Sequence, residues 1–527
     1  MSPSPSAPRV RVPHYEVAII GAGPGGIAAA YLLRQRGIHD FVIIERGDDF
    51  GGTWRDNHYP GLAVDIPTLW YQLSFAPNPH WSRFFAPGPE IYRYLQDTAT
   101  KLGLYEHLHA HAEVTRQQWD EERGLWHLQI RGRPAVTARF VISSVGGYVN
   151  AKDSVGIAGV DDFTGTILRP NAWDDAYDTR GKRIAVIGTG SSGVQITGAL
   201  SAEAANLDVY QRTPAWVLPK IDFAITPWMR RLFRVPGVVP AVNALGRLAM
   251  DILMVAPIVH VFSRLPDAAL RRLMPLYDGW SRLLYRLLLR AVVADPATRR
   301  KLVPRYGILA KRPVISSAFL PALNNPSTHL ITTPIDRITA TGVRTVDGVD
   351  HPADLLVLAT GYELWIDPET YRTGTVLGAC GFDLAHYYRA HGLHSYAGTA
   401  HPRLPNRWEI VGPLGFVGFA WPDYVETMAA HAVRIIDETR HRGAEIATVG
   451  QDAFNRWNAR MNRDGRVAHL YYTATSGLNT YFVNSQSETP YYRPQTITGS
   501  RQFARHSPLS DYQFTNVHAA ISEEQPA

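Results

Sequence analysis

At 527 residues the chain is too long for one ordinary core, so two or three domains are expected. Its 45% hydrophobic and 19% charged residues are the shares of a soluble globular protein. Cys380 is the single cysteine, which excludes an intrachain disulfide and a cysteine zinc site; the 20 histidines show no zinc spacing, so no metal is expected and a reducing cytoplasm is the natural compartment.

Residues 1–13 begin Met-Ser-Pro-Ser-Pro, carry no apolar run, and read as a disordered tail rather than a signal peptide. Residues 14–150 open as strand, glycine turn, helix and strand. Val17–Ile20 leads into Gly21, Gly23 and Gly26, and Phe41–Ile44 ends at Glu45. A glycine turn of this kind lets backbone amides and a helix N-terminus approach a pyrophosphate, and a carboxylate at the second strand's tip accepts hydrogen bonds from ribose hydroxyls. This module reads as an FAD site.

The loop that follows, Gly51 to Asp65, places Gly51 and Gly52 where backbone lies against a flat ring, with Thr53 next and Trp54 as an aromatic wall. Tyr59-Pro60-Gly61 then turns the chain so that Asp65 points inward. Phe163 to Asp174 is a linker into residues 151–216, which hold a second module. Ala185–Ile187 leads into Gly188, Gly190, Ser191, Ser192 and Gly193, and the strand from Leu207 ends in Gln211-Arg212-Thr213. Arginine at that tip pairs with a 2′-phosphate, so the second site reads as one for NADPH.

Residues 217–305 have helical periodicity and account for the chain's net positive charge. Between Ile221 and Arg300 twelve arginines face five aspartates, a local +7 against +6 for the whole chain. The expectation is a set of helices that expose arginines to water, with Leu283, Leu284, Leu287, Leu288 and Leu289 as an apolar roof over a substrate cavity. A weak contact with a membrane surface is the alternative role for this basic insertion. Its longest greasy run, Ile252–Phe262, contains Pro257 and falls well short of the roughly 20 residues a membrane span needs. No nucleic-acid-binding module is visible.

Strands return in 306–370, after Lys311-Arg312-Pro313, and close on Ala359-Thr360-Gly361-Tyr362. Residues 371–527 are rich in aromatics, with a helix near Tyr424–Thr439. The order gives an α/β fold: two Rossmann-like dinucleotide-binding domains, an FAD domain (14–150 and 371–527) with an inserted NADP domain (151–216 and 306–370), plus the helical insertion. A lone cysteine rules out the disulfide reductases that share this two-nucleotide plan.

The segment Gly51–Asp65 resembles the fingerprint of the FAD- and NADPH-dependent Baeyer–Villiger monooxygenases: small-Gly-x-Trp, an aromatic-Pro-Gly turn, then Asp. The likeness continues at Gly188–Gly193, Gln211–Pro214, Lys311–Pro313 and Ala359–Tyr362. It implies a catalytic pair, Asp65 and Arg312. Reduced flavin would capture oxygen as a C4a-peroxide that must stay anionic to attack a ketone, and a guanidinium steered by a carboxylate stabilises that anion and the developing oxyanion. It further implies that Arg212 and Thr213, helped by Lys311, hold the 2′-phosphate and that Tyr481 forms a wall beside nicotinamide, where the family usually has Trp. The partners are then a small hydrophobic ketone and O2, giving an ester or lactone; the alternative is an N- or S-oxygenating flavin monooxygenase. One departure stands out. In Phe163-x-Gly165-x-x-x-Arg169-x-x-x-Trp173-Asp174 the family's histidine is replaced by Arg169, so the linker must be hydrogen-bonded differently.

Overall fold

The structure, a computed structural model, describes residues 12–152, 156–416, 420–475, 480 and 482–517. The expected wall residue Tyr481 and nearly all of the expected tail lie outside the described residues.

Two sheets organise the molecule. In the first, His14–Ile20 lies between Phe41–Ile44 and Arg133–Ser143, parallel to both. Being covered on both faces, its last four residues, Val17–Ile20, are all buried, which is why they form an uninterrupted apolar run. Val114–Asp120 and Leu125–Ile130 extend this sheet as antiparallel strands. Short late strands, Val376–Leu377 and Arg407–Glu409, join it from the far end of the chain. The long helix Trp421–His441 packs on the first nucleotide helix, Pro24–Gln35.

The second sheet is wholly parallel and runs 328–331, 206–210, 183–187, 355–358 and 166–168. Its nucleotide helix is Ser191–Leu200. The linker's Phe163 and Trp173 are both buried, and a Cβ on Gly165 would collide with the Phe163 ring and the Asp354 carbonyl. Arg169 donates to the Lys152 carbonyl at 3.1 Å, and Lys152 N donates to Gly361 O at 3.2 Å, so this side chain ties the linker to the Thr360-Gly361-Tyr362 turn.

The helical segment departs from expectation in two ways. None of its residues lines the main cavity, and Leu283, Leu284 and Leu287 are solvent-exposed, while Leu289 is buried in the core of the second sheet. The apolar roof is therefore not where the leucine spacing put it, because spacing defines a stripe and says nothing of what faces it. Helical turns also continue unbroken from Val238 to Arg264, 27 residues that are long and apolar enough to cross a membrane by length and composition. Wide π turns at Asp251–Val255 and Pro257–Val261 carry the helix past Pro257, which cannot donate a backbone hydrogen bond.

Candidate functional site

A cavity of about 650 Å³ opens at the carboxyl ends of the first sheet's parallel strands. Gly21, Gly23, Glu45, Gly52, Thr53 and Trp54 line its nucleotide end. The glycines divide the labour. Gly21 has φ +103°, and a Cβ there or on Gly26 would strike backbone carbonyls, so these two are fixed by the turn and by helix–strand packing. Gly23 has only the Gly52 Cα within 4 Å, at 3.7 Å, and caps a helix whose first amides receive no side-chain cap. Two backbones without side chains thus form a shallow cradle at a helix N-terminus, which suits a diphosphate.

Glu45 is buried and largely committed. Oε2 accepts from Ala22 N at 2.8 Å, Oε1 accepts from Gly47 N at 2.7 Å, and Arg55 Nη1 stands 3.1 Å from Oε1. A carboxylate has about four acceptor positions, so one remains for a ribose hydroxyl. Burial opposes the Arg55 charge, but Glu45 and then Asp56 outweigh it and raise its pKa. Sequence reasoning missed Arg55, whose only signal was its place directly after Trp54 in the fingerprint loop.

At the other end of the fingerprint loop, Arg312 Nη2 donates to Asp65 Oδ1 at 2.9 Å, and both residues line the cavity. The two are 247 positions apart in sequence. Aromatic side chains surround them. Trp54 Nε1 donates to Tyr71 OH at 3.2 Å, and Tyr148, Phe416, Trp421 and Tyr424 complete the wall. Tyr71 feels both members of the pair, and burial raises its pKa. It therefore stays a neutral phenol.

Of the described residues expected at the second nucleotide site, only Ser191 reaches this cavity. A Cβ on Gly188 or Gly193 would hit the carbonyl of Ala359 or of Gly188, whereas nothing stands within 4 Å of a Cβ on Gly190, which begins an uncapped helix at Ser191 and Ser192. Gln211 turns inward to donate to Lys301 O at 3.0 Å and leaves Arg212 exposed at the strand tip, followed by Thr213. Burial and then the Arg212 charge lower the Lys311 pKa. Among the described residues no carboxylate pairs with Arg212 or Lys311, so two neighbouring cations face each other where an anion would relieve them.

The two modules meet on the fingerprint loop. Besides Asp65–Arg312, Tyr59 OH donates to Gln195 Oε1 at 2.9 Å, Gln195 Nε2 donates to Ala63 O at 3.0 Å, and Tyr362 OH donates to Asn57 Oδ1 at 2.8 Å. Gln195 belongs to the second nucleotide helix. Tyr59 opens the Tyr59-Pro60-Gly61 turn, and its hydroxyl also latches the two halves together. Ser192 also bonds Tyr59, whose pKa burial pushes well up. A glutamine in an otherwise apolar helix face was the one available signal for Gln195.

Residues 19–87 match the NAD(P)-binding Rossmann-like domain family. A Baeyer-Villiger monooxygenase of Streptomyces coelicolor is 33% identical over 504 residues, spanning 95% of this chain and 92% of that protein. One of Pseudomonas aeruginosa is 34% identical over 462 residues, spanning 86% and 83%. Among solved structures, an oxidized steroid monooxygenase bound to NADP matches with TM-score 0.79 at 25% identity, covering 95% of this chain and 100% of that one. A polycyclic ketone monooxygenase from Thermothelomyces thermophila shares the fold with TM-score 0.84 at 21% identity, covering 97% and 91%.

Proposed function

The chain belongs to the Baeyer–Villiger monooxygenases, and from that premise we propose that Asp65 and Arg312 are the catalytic pair with which it inserts one oxygen beside a ketone carbonyl. The observation that carries this reading is the 2.9 Å contact between them inside the aromatic-walled cavity. FAD, reduced by NADPH, supplies the activated oxygen when bound. The protein's own residues do the rest. Gly21, Gly23, Gly26 and Gly52 with Thr53 shape the diphosphate cradle, and Glu45 keeps one acceptor for ribose. Gly188, Gly190, Ser191, Ser192 and Gly193 receive the NADPH diphosphate, and Arg212, Thr213 and Lys311 its 2′-phosphate.

Arg312 cannot lose its proton at working pH, so it holds positive charge where negative charge develops on oxygen. Asp65 orients the guanidinium. Trp54, Tyr71, Phe416 and Trp421 favour a hydrophobic ketone and exclude water, and the product is an ester or lactone. On this reading residues 14–150 and 371–527 form the FAD domain, 151–216 and 306–370 the NADP domain, and the cytoplasm is the working compartment. A ketone panel with NADPH and labelled O2, read by mass spectrometry, tests it. Products carrying one labelled oxygen as an ester support the assignment; sulfoxides or N-oxides alone overturn it.

A further inference from the structure

The helix Asp267–Val292 has two apolar faces. One is buried through Leu270, Met274, Tyr285 and Leu289. The other, Leu273, Leu276, Trp280, Leu283, Leu284 and Leu287, follows the same helical period and stands in solvent, with Leu276 70% and Trp280 62% exposed. The preceding helix repeats the pattern with Leu245, Leu248, Ile252 and Leu253. An apolar surface this long on one segment is not ordinary surface scatter.

Charge follows the same surface. All five aspartates of the segment are engaged within the protein. Asp222 and Asp267 pair with Arg83 and Arg466, and Asp251 accepts from the backbone of Ile497 and Thr498. Asp278 accepts from Tyr471, and Asp295 caps a short helix. Arg231, Arg264, Arg271, Arg272, Arg286 and Arg290 are exposed and have no carboxylate partner among the described residues. By the helical period Arg272 and Arg290 border the exposed stripe.

We propose that this segment lies on an anionic phospholipid surface, its leucines and Trp280 in the acyl boundary and its arginines among the headgroups. A second copy of the chain fits poorly, because an isologous contact would bring two unneutralised arginine sets together. Spanning is excluded by packing. Val239, Asn243 and Gly246 of the apolar helix are buried, Gly246 lies directly against Trp70, and Asp251 is bonded to the chain near Ile497. The helix rests on the body of the protein and offers only its outer side.

The test is flotation of the FAD-loaded full chain with phosphatidylcholine vesicles, with and without about a third phosphatidylglycerol. Flotation is expected only with the anionic vesicles and is lost at high salt. Arg272→Gln with Arg290→Gln should weaken partitioning about fivefold per arginine. Leu276→Ser with Trp280→Ser should weaken it at least about tenfold. Both variants should keep their flavin content and circular dichroism, since the substituted side chains are exposed. Brominated lipid should quench less fluorescence in Trp280→Phe than in the parent. Absence of flotation with anionic vesicles, or flotation unchanged by both double variants, overturns the proposal. So does a dimer in light scattering that Trp280→Ser dissolves, which would assign the face to a second copy.

Discussion

Replacing Arg312 with alanine separates the chemistry from the scaffold. Its side chain is 39% exposed and that of Asp65 29%, so the pair gains little from burial. An ion pair this wet contributes about 1 kcal/mol or less to stability. In a chain of 527 residues that moves the melting temperature by no more than about 2 °C. Transition-state stabilisation is a different quantity. One preorganised donor at a developing oxyanion is worth about 3–4 kcal/mol, so ester formation should fall about 100- to 1,000-fold. Arg312→Lys should fall in between, because the charge survives while the planar fork is lost. The assay has three parts: flavin content after purification, anaerobic reduction of the flavin by NADPH in a stopped-flow instrument, and product by mass spectrometry. The first two should match the parent, since neither depends on Arg312 in the cradle or at Arg212. Ester formation within tenfold of the parent, with flavin bound and reduced normally, would show that position 312 does not stabilise the oxyanion.

Other substitutions test the nucleotide sites and the core. Gly190→Ala should fold normally and raise the KM for NADPH, because its Cβ meets open space where the cofactor approaches; Gly193→Ala should lower expression and melting temperature, because its Cβ meets the Gly188 carbonyl. Arg212→Ala should reduce the NADPH-over-NADH preference by about 10- to 100-fold, the worth of a charge-assisted phosphate bond, as read from kcat/KM with each cofactor. Burial lowers the pKa of both His401 and His431 to about 3, so both are neutral in the folded protein. Unfolded, each binds a proton below its ordinary value near 6.5, so their contribution is complete above that pH and is lost as pH falls toward about 3. Denaturant titrations should show stability dropping by up to about 1.4 kcal/mol per pH unit for each histidine, and His431→Gln should remove one of these two equal shares.

Both nucleotide modules were legible because they are local. A strand, a glycine turn and a second strand fit within about 25 residues, and the residues that distinguish them, Glu45 and Arg212, sit at fixed offsets from Gly21 and Gly188. The central parallel strand announced itself the same way, since burial on both faces leaves an unbroken apolar run.

Tertiary structure decided what proximity in sequence cannot carry. The family resemblance named Asp65 and Arg312 as a pair, which composition and spacing do not; their 2.9 Å contact depends on the closure of the second module on the fingerprint loop. The same closure makes Tyr59 a partner of Gln195 and Tyr362 a partner of Asn57. In the helical segment the leucine period established that stripes exist, but two stripes on one helix are equivalent until a core covers one of them. Packing buried Leu289 and left Leu283, Leu284 and Leu287 in solvent. Periodicity specifies a face; what that face meets depends on residues far away along the chain.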